Sequence, residues 1–179
     1  MAKGLKQGLK QGLKQGLKQG LKQGLKQGAL ALLMLVALPS WGDGVSRQAL
    51  TVDDGQRAHT LQVEVARTAA ERAKGLMERQ ALPAEAGMLF LYPREQPATS
   101  AYWMYRTRIP LDIAFVDSGG VIRSLKTMSP CHAEQSSRCP VYPAGARFWA
   151  ALETNAGYFA ARGIEVGDHV ELTPWLESP

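Results

Sequence analysis

Asp112 and Glu153 are the two carboxylates in this sequence best suited to act together as acid and base. Glycoside hydrolysis needs such a pair at about 5 to 9 Å separation, so these two residues are the catalytic candidates. A second kind of chemistry gathers around Asp112. Residues 102–112 bring together Tyr102, Trp103, Met104, Tyr105, Arg106 and Arg108 ahead of it. Indole and phenol rings offer flat apolar faces with polar edges, and guanidinium forks match carboxylate or phosphate oxygens. Such a set suits a polar ligand with an apolar face, a sugar or a cell-wall fragment. The expected ligand-binding residues are Trp103, Arg106, Asp112, Arg147, Glu153 and Asn155. Two other arrangements use the same residues. The aromatics can form core, with Asp112 pairing Arg106, Arg108 or Arg147; or the aromatic run can be a hot spot for a protein partner.

Cys131 and Cys139 are the only cysteines and enclose seven residues. In an oxidising compartment this predicts a disulfide. A zinc site built on Cys131, His132 and Cys139 lacks a fourth ligand, so no metal is expected. Gly119-Gly120 and Gly167 are turn glycines without phosphate-loop spacing, and no cofactor is expected.

Charge points the same way. The chain has 21 basic and 16 acidic residues, but seven lysines precede Gly28 and every acidic residue follows Trp41. The remainder carries 14 basic against 16 acidic residues, a net of −2. That gives no basic footprint for nucleic acid. Residues 5–28 repeat Leu-Lys-Gln-Gly six times. A Gly in every turn costs about 1 kcal/mol relative to Ala, so the repeat reads as a low-complexity basic leader. The apolar run 29–38 is too short for a bilayer span of roughly 20 residues and has the length of a signal-peptide core. Ser40 and Gly42 follow Pro39, which predicts cleavage after Gly42 and export to the periplasm or exterior, with membrane contact only if the signal stays attached. Residues 1–42 are therefore leader, 43–60 an N-terminal strand and hairpin, 61–173 the main domain, and 174–179 a loose tail that Trp175 could dock.

The elements that must position the candidates are short. Residues 48–52 and 61–65 predict an opening hairpin. Thr68 and Glu71 have capping-box spacing, and Gly75 stops the helix they begin. Residues 87–92 read as a buried strand closed by Pro93. Residues 111–116 and 121–128 flank the turn 117–120, residues 129–143 form a loop, and 147–153 form another strand. Thr154 or Asn155 caps a helix ended by Gly163, and 169–172 make the last strand. This pattern predicts a mainly β domain, a compact jelly-roll-like sandwich or partly closed barrel with two short helices.

With these pieces in place the chain resembles the family called domain of unknown function 192. The resemblance runs from about residue 62 to 172. It is carried by the stretch 71–79, Leu82-Pro83, residues 87–90, Trp103-Met104, Thr107 and residues 109–112. It continues through Ala146-Arg147, Glu153, residues 155–157, Gly163-Ile164 and Gly167-Asp168. The family usually has Phe, Lys and Asn where this chain has Tyr102, Tyr105 and Arg106. The resemblance implies a compact, often exported β domain and names no reaction.

Overall fold

The computed structural model describes residues 46–176. The Leu-Lys-Gln-Gly repeat, the apolar run, the cleavage point at Gly42 and the last three residues lie outside the described residues. The chain opens with β1 (Gln48–Asp53) and β2 (Ala58–Ala66), paired antiparallel with Leu50 opposite Leu61. α1 (Ala69–Lys74) follows. The capping box forms as the sequence predicts: the Glu71 amide donates to the Thr68 hydroxyl, and the Thr68 amide donates to the Glu71 carboxylate at 2.8 Å. β3 (Ala86–Gln96) then runs parallel to β2 and antiparallel to β8 (Phe148–Asn155).

β3 is longer than the sequence suggested. Pro93 lies within it, where the pairing with β8 shifts register between Leu91 and Gln96. At such an irregularity the ladder makes no demand on the missing N–H. β4 (Ala101–Trp103) and β7 (Val141–Pro143) form a separate two-stranded ribbon, with Trp103 opposite Val141. β7 occupies what the sequence read as loop. The Cys131–Cys139 disulfide is formed and closes the segment before β7.

β5 (Leu111–Val116), β6 (Ile122–Met128) and β9 (His169–Val170) complete a seven-stranded sheet ordered β6-β5-β8-β3-β2-β1-β9. Its two ends meet. Val121 bridges His169, the Ile122 amide donates to the Asp168 carbonyl at 2.8 Å, and the Val170 amide donates to the Gly120 carbonyl at 2.7 Å. The sheet is therefore a partly closed barrel, as expected for a mainly β chain. Among the described residues there are three short α-helices rather than two. α2 (Tyr158–Arg162) starts from Gly157, not from Thr154 or Asn155, which remain in β8. α3 (Thr173–Leu176) is an ordered turn at the expected loose tail, held by buried Trp175.

Strand alternation divides the core. One face gathers Leu50, Val52, Leu61, Val63, Leu89, Ala114 and Leu152 with Tyr158, Phe159 and Trp175. The other gathers Met88, Phe90, Ile113, Phe115 and Phe148, with Tyr102 of the ribbon packed against it. Gly87 sits where β3 and β8 approach closely: a Cβ there would lie 2.6 Å from the Glu153 carbonyl oxygen. Gly87→Ala must push the two central strands apart, and a loss of about 1–3 kcal/mol is expected by urea unfolding monitored by circular dichroism.

Candidate functional site

Three carboxylates are buried among the described residues: Glu64, Asp112 and Glu153. Two are satisfied. Glu64 is paired with Arg47 at 3.2 Å and with Arg79. Asp112 accepts from the Thr127 hydroxyl at 2.7 Å and from the Gly157 amide at 2.8 Å, so it ties β5 to β6 and to the start of α2. Glu153 is different. It is 5 % exposed, and no hydrogen-bond or ion-pair partner among the described residues reaches it. Burial alone lifts its carboxyl from 4.5 to about 8, so it is mostly protonated at neutral pH.

Register separates the two carboxylates proposed as a pair. On β5 and β8, Asp112 lies opposite Thr154 while Ile113 lies opposite Glu153. Directly opposed residues share a face of a sheet, and successive residues alternate. Asp112 and Glu153 therefore point to opposite faces. They do not converge on one substrate, which removes the geometry a two-carboxylate hydrolase requires.

Glu153 closes one side of a hollow of about 110 Å³ lined by Arg72, Leu76, Phe90, Tyr92, Tyr102, Trp103 and Thr107 among others. α1 supplies Arg72, whose Nη1 donates to the Leu91 carbonyl at 2.9 Å and also to the Arg67 carbonyl. Its guanidinium lies 4.7 Å from the centre of the Tyr92 ring. The Tyr92 and Tyr102 hydroxyls are hydrogen-bonded at 2.7 Å. Burial pushes both phenols above their usual range, Tyr102 furthest. Tyr102 is braced edge-on by Phe90 and Phe115. Trp103, 46 % exposed, stands at the rim beside exposed Val141.

Of the six predicted binding residues, the hollow unites Trp103 and Glu153 only. Arg147 is exposed and pairs with Glu95 at 2.7 Å. Asn155 donates to the Leu82 and Pro83 carbonyls at 3.1 and 2.9 Å, pinning the chain before β3. Arg106 lines a separate, larger concavity of about 570 Å³ with Tyr105, Arg108, Glu78 and His132, where Arg106 and Arg108 both pair with Glu78. Arg106 has φ 55°, and its carbonyl accepts from the amide of Glu78, which has φ 63°. Asn tolerates this left-handed region better than most residues. The Asn that the family resemblance sets at this position therefore has a backbone reason. Arg72, Tyr92 and Tyr102 were not among the predicted site residues. Arg72 reads as a surface residue of a short helix, and only Tyr102, in the aromatic run, carried a signal.

These features define a small, partly closed β-barrel domain with a buried acid opening into an aromatic hollow. The chain belongs to the DUF192 family (Uncharacterized ACR), whose model matches residues 50–172 and so takes in most of β1 as well as the segment from residue 62. Two solved structures are similar. A protein of unknown function from Novosphingobium aromaticivorans DSM 12444 is 37% identical, with a TM-score of 0.62, over 73% of this chain and 88% of that one. A candidate transcription regulator from Sinorhizobium meliloti 1021 is 29% identical, also with a TM-score of 0.62, over 71% of this chain and 94% of that one. No match was found among curated proteins.

Two consequences are measurable. The folded chain holds a Glu153 proton that the unfolded chain releases near pH 4.5. The Glu153 contribution to stability therefore falls as pH rises from 4.5 to about 8, by at most about 5 kcal/mol, and changes no further above that. Glu153→Gln removes this slope: urea midpoints of variant and wild type agree near pH 4.5, and the variant is the more stable at pH 9. Asp112→Ala strips the Gly157 amide and Thr127 hydroxyl of their acceptor and costs about 2–3 kcal/mol at neutral pH in the same assay.

Proposed function

We propose that this domain is a binding module that admits one end of a small polar ligand, a sugar or cell-envelope fragment, into the hollow beneath Trp103. The observation that carries this reading is the buried Glu153 carboxyl, which lines the hollow and makes no hydrogen bond or ion pair with another described residue. A ligand group that hydrogen-bonds to it in place of water gains about 0.5–1.5 kcal/mol net. The hollow is well below the roughly 300 Å³ of a pocket that engulfs a drug-sized molecule, so it takes a functional group rather than a whole ligand. Trp103 at the rim, directly across the ribbon from Val141, gives a flat wall against which a sugar ring outside the hollow can stack.

The same reading takes the domain out of the cytoplasm. The Cys131–Cys139 disulfide supports an oxidising compartment, and the apolar run after the basic leader supports export. The interaction-module reading has less behind it: Trp103 and Val141 are two exposed side chains, short of the clustered anchors of a protein interface.

Titration of the protein with peptidoglycan mono- and disaccharides, followed by tryptophan fluorescence and thermal shift, tests the reading. Binding is expected to weaken about 10-fold or more in Trp103→Ala and to survive in Arg147→Ala, whose side chain lies outside the hollow. Equal binding by wild type and Trp103→Ala would place the ligand elsewhere.

A further inference from the structure

The charges facing the hollow are one-sided. α1 contributes Arg72 and Lys74, β3 contributes Tyr92, and β4 contributes Tyr102. Within the sheet, Glu153 stands in a row with Met88 and Ile113, and Lys126 of β6 follows one strand further on. No Asp and no second Glu lines the space. Hydrogen-bond capacity is one-sided too. The two phenols spend one hydrogen on each other and leave the second free. The protonated Glu153 carboxyl has a hydrogen to give. Arg72 spends Nη1 on two carbonyls, and its other nitrogens make no hydrogen bond among the described residues. The hollow thus offers protons and positive charge around a small volume.

We infer that the group admitted to this hollow is a carboxylate borne on a sugar-like ligand, with the Glu153 carboxyl and the Tyr92–Tyr102 phenols donating to its oxygens and Arg72 supplying the opposite charge. The inference rests on the binding reading above and names the ligand class of that same site. An ammonium group gains an ion pair only if Glu153 first gives its proton up to solvent, and it then sits facing Arg72 and Lys74. A phosphate near its double charge asks for more cations than one anchored guanidinium and a rim lysine provide. A carboxylate carries a single charge, is planar, and presents two acceptors to a fork and a pair of hydroxyl donors.

The ring-matched probes glucuronate, glucose and glucosamine separate the possibilities, with binding to the full chain read from amide NMR shifts around Gly75, Tyr102 and Thr107. Glucuronate is expected to bind at least about 10-fold more tightly than glucose, with glucosamine weakest. Above pH 8 the Glu153 proton is lost and a second negative charge faces the ligand, so glucuronate affinity falls about 10-fold by pH 9 to 9.5. Glu153→Gln keeps a donor and is expected to bind with no such decline, whereas a purely structural Glu153 would leave the two pH profiles alike. Glucuronate binding no tighter than glucose or glucosamine overturns the carboxylate assignment and leaves the polar-ligand reading standing. No shift at these amides with any of the three, nor with sodium acetate, overturns both.

Discussion

A carboxyl group buried in the middle of a sheet without a counter-charge is the constraint around which this domain is arranged. Glu153 lies on the third strand of the seven in spatial order, with β5 on one side and β3 on the other. Its backbone is locked between two ladders, so the side chain cannot retreat to solvent by a shift of the strand. The Gly87 backbone pressed against its carbonyl fixes β3 at close range. What remains adjustable is the covering layer of α1 and the β4–β7 ribbon, and there the polar groups appear. Arg72, Tyr92 and Tyr102 form a second polar tier, tied to one another and to backbone carbonyls, while Glu153 is left open.

Asp112 shows what the same chemistry does when it is finished. It lies on the neighbouring strand, is as buried as Glu153, and differs by one step of strand alternation. That step turns it to the other face, where a hydroxyl and the amide of Gly157 complete its coordination. The result is a structural clasp joining two strands to a helix. Two acidic residues with similar sequence settings therefore have opposite meanings, and partner count rather than burial distinguishes them.

Local chemistry in the sequence reads through to the structure. Thr68, Glu71 and Gly75 specify α1 within a few residues of one another, and the 61–65 alternation specifies β2. Pro93 misled because its tolerance depends on a register shift against β8, more than fifty residues away. The aromatic run read as one binding surface, yet of its aromatic and charged side chains only Tyr102 and Trp103 reach the hollow; the chain turns at Arg106 and carries Tyr105, Arg106 and Arg108 to a second concavity. The faces of Asp112 and Glu153 were not legible at all. Residues 111–116 are buried throughout, so no polar–apolar alternation marks which side is which. Arg72 was hidden for a related reason: its helix buries no residue, and nothing in six residues announces what its long side chain covers.

The meeting of the sheet's two ends at Val121 and His169 bears on how the molecule lives among copies of itself. An open sheet offers a row of unspent amides and carbonyls that a neighbouring chain can extend, the usual start of edge-to-edge aggregation. Here Gly120, Ile122, Gly167 and Val170 exchange those bonds across the seam, and a Cβ on Gly120 would strike the His169 ring and the Val170 carbonyl at 2.5 Å. A bare α-carbon at one turn thus shields the most vulnerable margin of the fold from self-templating.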